Sequence, residues 1–88
     1  MISRKVKIQN PTGLHLRPAG MLCKEAARYE ECSIKFQVEN KTGNVKSVLS
    51  VLAAGIKQGD VVEIICDGKD EEQILETIVY FIEEKLED

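Results

Sequence analysis

Tryptophan is absent from this 88-residue chain, which has only two Tyr and two Phe. Proteins that hold single-stranded nucleic acid stack its bases on exposed aromatics, so bulk nucleic-acid binding has no platform here. Histidine occurs once, and the three cysteines, Cys23, Cys32 and Cys66, form no CxxC pair. That set is too sparse for a zinc site; each thiol falls in an apolar pattern, as a reduced core residue does. No apolar run approaches the roughly 18 residues of a membrane-spanning helix. The opening Met1–Lys7 alternates polar and apolar residues and lacks the apolar centre of a signal peptide, so the chain reads as cytoplasmic. Residues 1–88 form one small domain, with no room for a large substrate cavity.

What is present is unevenly charged. The formal net charge is −3. Residues 1–28 carry six Lys/Arg against one Asp/Glu, whereas residues 29–88 carry six against fourteen. The basic end surrounds the single histidine, His15, and the acidic excess gathers towards the C-terminus. A basic face on an acidic molecule suits an acidic or phosphorylated protein partner.

Residues 2–9 have a period of two, with Ile2, Val6 and Ile8 on one face, which predicts a half-buried strand. After the turn cluster Asn10-Pro11-Thr12-Gly13, apolar positions from Leu16 to Tyr29 step by three and four, as in an amphipathic helix. Pro18 fits only the first turn of such a helix. Residues 33–39 alternate again, Asn40–Asn44 supplies turn residues, and Val45 is expected in a short return strand. Ser47 and Gly55 bracket a short helix as cap and terminator. Residues 61–66 are apolar on both faces, which predicts a central strand. Asp70 and Gln73 have capping-box spacing ahead of Ile74, Leu75, Ile78, Val79, Ile82 and Leu86. The predicted order is β-α-β-β-α-β-α: an α+β open-faced β-sandwich, a four-stranded antiparallel sheet with three helices on one face.

His15 sits in Thr12-Gly13-Leu14-His15-Leu16-Arg17-Pro18-Ala19. A helix start carries about four N–H groups without intrahelical partners and the positive end of the helix dipole. Gly13 permits a tight backbone approach, and Arg17 can donate paired hydrogen bonds to a phosphate. The positive surroundings disfavour a charged imidazolium and stabilise a dianionic phosphoryl group once it arrives. A neutral imidazole attacks through its own lone pair, so neither a metal nor a cofactor is required. No second histidine stands nearby, which excludes a self-contained hydrolase.

Gly13-Leu14-His15-Leu16-Arg17-Pro18-Ala19 resembles the active-site motif of the HPr family, the histidine-containing phosphocarriers of the bacterial phosphotransferase system for sugar uptake. Lys46-Ser47-Val48-Leu49 through Ala54-Gly55-Ile56 resembles the family's regulatory serine motif. The resemblance implies that His15 accepts a phosphoryl group at Nδ1 from phosphorylated Enzyme I and passes it to enzyme IIA domains. It implies that Arg17 binds the phosphate, with Thr12 and the N–H groups of Leu16 and Arg17 completing the cradle. Ser47 matches the serine modified by HPr kinase/phosphorylase in many relatives, where the modified form is a corepressor for catabolite control protein. The protein is expected to be a monomer. Leu16 stands where the family usually has alanine, Ser50 replaces a frequent glycine, and the turn at Asn40–Asn44 is one residue longer than in Bacillus-type members.

Ser47 is explained by helix capping alone as well as by regulation. A phosphate there would meet a positive helix end and place charge beside Val48, Leu49 and Leu52, an expected docking patch. Two alternatives remain at this point. One is a regulatory corepressor acting mainly through Ser47, like the family branch that lacks the histidine, or a nitrogen-type carrier acting through Ser47-dependent protein binding. The other, an acyl carrier, is contradicted by the missing Asp-Ser-Leu signature and by the two alternating strands.

Overall fold

A computed structural model describes residues 1–87. The elements run β1 (Ile2–Lys7), α1 (Leu16–Ala26), β2 (Cys32–Val38), β3 (Lys41–Asn44), α2 (Val48–Ala53), β4 (Val61–Gly68) and α3 (Glu71–Glu84). The strands form one antiparallel sheet in the order β1-β4-β2-β3, so β4 is central, as its two apolar faces require. Register pairs Val6 with Val62, Phe36 with Ile64 and Ile34 with Cys66. All six are buried, and they lie on the face the helices cover. The alternate residues Lys5, Glu63 and Gln37 are cross-strand partners on the other, open face.

α1 buries Pro18, Ala19, Leu22, Cys23 and Ala26, and α3 buries Ile74, Leu75, Ile78, Val79 and Ile82. These stripes close a single core over the sheet. All three cysteines are free and buried. Cys66 has no exposure at all, and burial together with the neighbouring Cys32 thiol pushes its pKa up to about 12. Among the described residues, no helix is long and apolar enough to cross a membrane.

Several boundaries depart from the sequence reading. β1 stops at Lys7, although Ile8 beyond it is still buried, and α1 stops at Ala26 rather than Tyr29. α3 ends before Leu86, which nevertheless packs on the core. The return strand is Lys41–Asn44 itself, not the segment at Val45. The chain reverses within Glu39-Asn40, because Val38 already pairs with Lys41, and Glu39 takes a positive φ of 54° there. Asn and Gly further on resembled the turn; Gly43 instead faces Phe36 across the ladder, where a Cβ would strike that ring and the Ser50 hydroxyl. Val45, buried just past the strand, donates its N–H to the Ile34 carbonyl at 2.9 Å.

The expected capping box at Asp70 and Gln73 does not form. Asp70 precedes α3 with a left-handed φ of 58° and makes no side-chain cap bond, because the usual cap geometry needs an extended backbone. Its carbonyl still accepts the Ile74 N–H at 2.9 Å. Glu71 occupies the junction instead: its carboxylate accepts the Gly68 N–H at 3.0 Å and contacts the Met1 ammonium at 2.9 Å. The Gly68 N–H, then the ammonium, holds this carboxyl below its ordinary pKa.

Candidate functional site

The site begins with a backbone constraint. Gly13 has φ +66°, and a Cβ on it would collide with the Ile56 carbonyl oxygen and the Lys57 backbone. The next residue, Leu14, is 5% exposed and donates its N–H to that same Ile56 oxygen at 3.0 Å. The loop is thus pinned beneath the segment that follows α2. One residue later the chain turns outward, and His15 is exposed.

His15 is the N-cap of α1, with an extended backbone at φ −73° and ψ −170°. Its carbonyl accepts the Ala19 N–H at 2.9 Å, while its side chain makes no cap hydrogen bond. The imidazole therefore projects from a fixed helix start without being tied to it. Pro18 has no N–H, so the N–H groups at the opening of α1 are those of Leu16 and Arg17. No acidic residue lies in that first turn to oppose an anion. Thr12, His15, Leu16 and Arg17 are all exposed at the mouth of α1. The sequence reading grouped these four, and the structure presents them together.

Among the described residues, the Glu87 carboxylate reaches this point from far along the chain. The Arg17 guanidinium lies 3.5 Å from the Glu87 carboxylate, just beyond α3. No local pattern joins positions 17 and 87; only the docking of α3 beside α1 does.

A family profile described as the PTS HPr component phosphorylation site matches residues 2–84. The chain belongs to the HPr family. The phosphocarrier protein HPr of Mycoplasma capricolum is 39% identical over 71 residues, which is 81% of this chain and 79% of that protein. The HPr-like protein Crh of Halalkalibacterium halodurans is 31% identical over 97% of this chain and 100% of its own length. The crystal structure of HPr-C-His from Thermoanaerobacter tengcongensis superposes with a TM-score of 0.88 at 35% identity, covering 94% of this chain and 92% of that one. HPr family members are phosphocarriers rather than catalysts that turn over a substrate, and this chain has their α+β fold.

The segment that resembles a regulatory serine motif lies around α2. Ser47 is its N-cap, with an extended backbone, and its hydroxyl accepts the Ser50 N–H at 3.2 Å. The capping role expected of Ser47 is therefore real. α2 packs against α1, but its C-terminal end is the one joined to the His15 loop, through Ile56. Ser47 lies at the opposite end. Of the apolar trio beside it, Val48 and Leu52 are half-buried against the core, and Leu49 projects into solvent with 81% exposure.

Two residues were missed as positioning groups. The Lys46 ammonium donates to the Tyr29 and Cys32 carbonyls, each at 2.6 Å, and so ties the approach to α2 to the α1–β2 connection. Ser50, noted above only as a departure from glycine, accepts the Asn44 N–H at 2.9 Å and links α2 to the end of β3. None of these three bonds has a local sequence signal, since those of Lys46 reach back across β2 and β3 and that of Ser50 crosses the β3–α2 connection.

Proposed function

We propose that this chain is a phosphocarrier that takes a phosphoryl group on His15 from phosphorylated Enzyme I and delivers it to enzyme IIA domains in sugar uptake. The observation that carries this reading is the exposed imidazole at the start of α1, unbonded to its own helix and followed by Arg17. The Nδ1 lone pair forms the new P–N bond as the donor's bond to phosphorus breaks and the departing group keeps its electron pair. The phosphoryl oxygens accept hydrogen bonds from the Leu16 and Arg17 N–H groups, Thr12 and the Arg17 guanidinium. Glu87 yields its place on Arg17 to the phosphate, a stronger anion than one exposed carboxylate. Transfer onward reverses the step. The protein acts as a cytoplasmic monomer, with no metal or cofactor.

A second activity resides at Ser47. Its position as an N-cap lets a phosphate meet the positive end of α2, and similarity to Crh, the Bacillus subtilis catabolite repression HPr, supports a regulatory role of this kind. HPr kinase/phosphorylase would supply that phosphate, and catabolite control protein would read it. A protein acting only as a corepressor through Ser47 would have no use for the exposed His15, so the carrier reading ranks first.

The test is incubation with Enzyme I of the same organism and phosphoenolpyruvate, followed by intact-mass analysis. One acid-labile phosphate is expected on the native chain and none on His15→Ala. Failure of the native chain to gain mass beside an Enzyme I that phosphorylates another carrier would sink the proposal. A phosphate that requires ATP and survives acid would point to Ser47 instead.

A further inference from the structure

We infer that Cys32 and Cys66 form a reversible disulfide in response to hydrogen peroxide, with Cys32 oxidised first; the inference stands apart from the carrier reading. β2 and β4 pair Cys32 with Gly68 and Ile34 with Cys66, so the two cysteines are diagonal neighbours on the face of the sheet that the helices cover. The Cys66 thiol has Cys32 beside it, both electrostatically and as a hydrogen-bond partner. Gly68, directly opposite Cys32, keeps the space beside it clear: a Cβ there would strike the Glu31 carbonyl and the Cys32 backbone. Cys23 lies on α1 and belongs to neither strand.

The pair is buried but not sealed. A cavity of about 480 Å³, between the α1–β2 connection and the turn before α3, has Tyr29, Glu31, Cys32 and Asp70 in its wall. Cys32 meets it with 2% exposure, whereas Cys66 has none. Exposure so slight admits a small peroxide and excludes a bulky disulfide. The Lys46 ammonium, bonded to the Cys32 carbonyl at 2.6 Å, sets near the pair the positive charge that accompanies reactive thiols.

The Cys32 sulfur attacks one peroxide oxygen, the O–O bond breaks, and the other oxygen leaves as water with the thiol's proton. Cys32 is then a sulfenic acid. The Cys66 sulfur attacks the Cys32 sulfur, and the sulfenic hydroxyl departs with the Cys66 proton as a second water. The two thiols lose two electrons, and the peroxide gains them. Diagonal neighbours lie about 7–8 Å apart at Cα, and a disulfide spans roughly 4.4–6.8 Å. Cys32, the first residue of β2, therefore shifts towards β4 as the bond forms. A bridge closed under such strain is readily reduced. The same shift draws the Cys32 carbonyl away from Lys46, the residue ahead of the α2 cap Ser47.

The folded native chain is treated with hydrogen peroxide, quenched with a thiol-blocking reagent in denaturant, and measured by intact and peptide mass. The expected product is lighter by two hydrogen atoms, keeps one blockable thiol on Cys23, yields a linked Cys32–Cys66 peptide pair and reverts with dithiothreitol. Cys66→Ala leaves a sulfenic acid on Cys32 that dimedone captures, and Cys23→Ala is oxidised like the native chain. In the bridged form, amide hydrogen exchange speeds up at Ser50, whose N–H the Ser47 hydroxyl caps. Three unoxidised thiols, a bridge that includes Cys23, overoxidation of Cys32 without a bridge, or a bridge that forms only in denaturant overturns the inference. The peptide map decides this on the native chain, without any variant. Unchanged exchange at Ser50 in the bridged form removes the link to α2.

Discussion

At the scale of single residues, position 13 is the most demanding. Alanine there has to adopt a left-handed φ and place its Cβ into the Ile56 carbonyl and the Lys57 backbone, neither of which can move without shifting the loop. We expect Gly13→Ala to destabilise the fold by about 2 kcal/mol or more, read as a lower urea midpoint. Phosphotransfer should fall as well, because the Leu14–Ile56 hydrogen bond that presents His15 is strained at the same time. By contrast, Gly55 has open space around the place of a Cβ and only its φ of +61° to satisfy. His15 and Gly13 were both legible in the sequence as a motif, but the collision that makes Gly13 obligatory was not. Its other half comes from residues 56 and 57, more than forty positions away.

At the scale of elements, α2 is short enough for its cap to matter. A six-residue helix cannot hold itself in water, and the Ser47 hydroxyl satisfies one of its first-turn donors. Ser47→Ala is expected to cost about 1 kcal/mol in chemical denaturation. Ser47→Asp keeps an acceptor at the cap and should leave stability near native, while slowing phosphotransfer from Enzyme I if charge beside the exposed Leu49 disturbs docking. Equal transfer rates for Ser47→Asp and the native chain would refute regulation by that charge. The helices and three of the strands were legible because each carries a clear period of two or of three and four. β3 was not, since Lys41-Thr42-Gly43-Asn44 has turn-like composition and becomes a strand only by pairing with β2. The start of α3 was misread for a related reason. Asp70 has the residue type of a cap, but the sharp exit from β4 forces it into the left-handed region, and Glu71 takes up the Gly68 N–H.

At the scale of the whole molecule, the chain is a small charged dipole: a basic N-terminal third bearing the histidine, and an acidic remainder. Association with an acidic partner is steered by such a field and screened by salt over about 10 Å at 0.1 M. We expect the second-order rate of phosphotransfer from Enzyme I to fall as sodium chloride is raised from 0.05 to about 0.5 M, while kcat at saturating carrier changes little. A rate independent of salt would remove steering from the account. Glu87 tempers the field locally, since it brings one carboxylate of the acidic half back to Arg17.

The sequence by itself determined the type of every element but β3, the family, and the motif that surrounds His15. These depend on periodicity and on a motif contained within a few adjacent residues, where the chain's own geometry decides which groups meet. The tertiary structure alone decided the pinning of Gly13 and Leu14 under Ile56, the Lys46 clasp on the Tyr29 and Cys32 carbonyls, and the reach of Glu87 to Arg17. It also separated Leu49, which meets solvent, from Val48 and Leu52, which meet the core. Each of these joins residues far apart in the chain, or divides residues that look alike in it. Only the packing of helices on a sheet of order β1-β4-β2-β3 sets those distances and exposures.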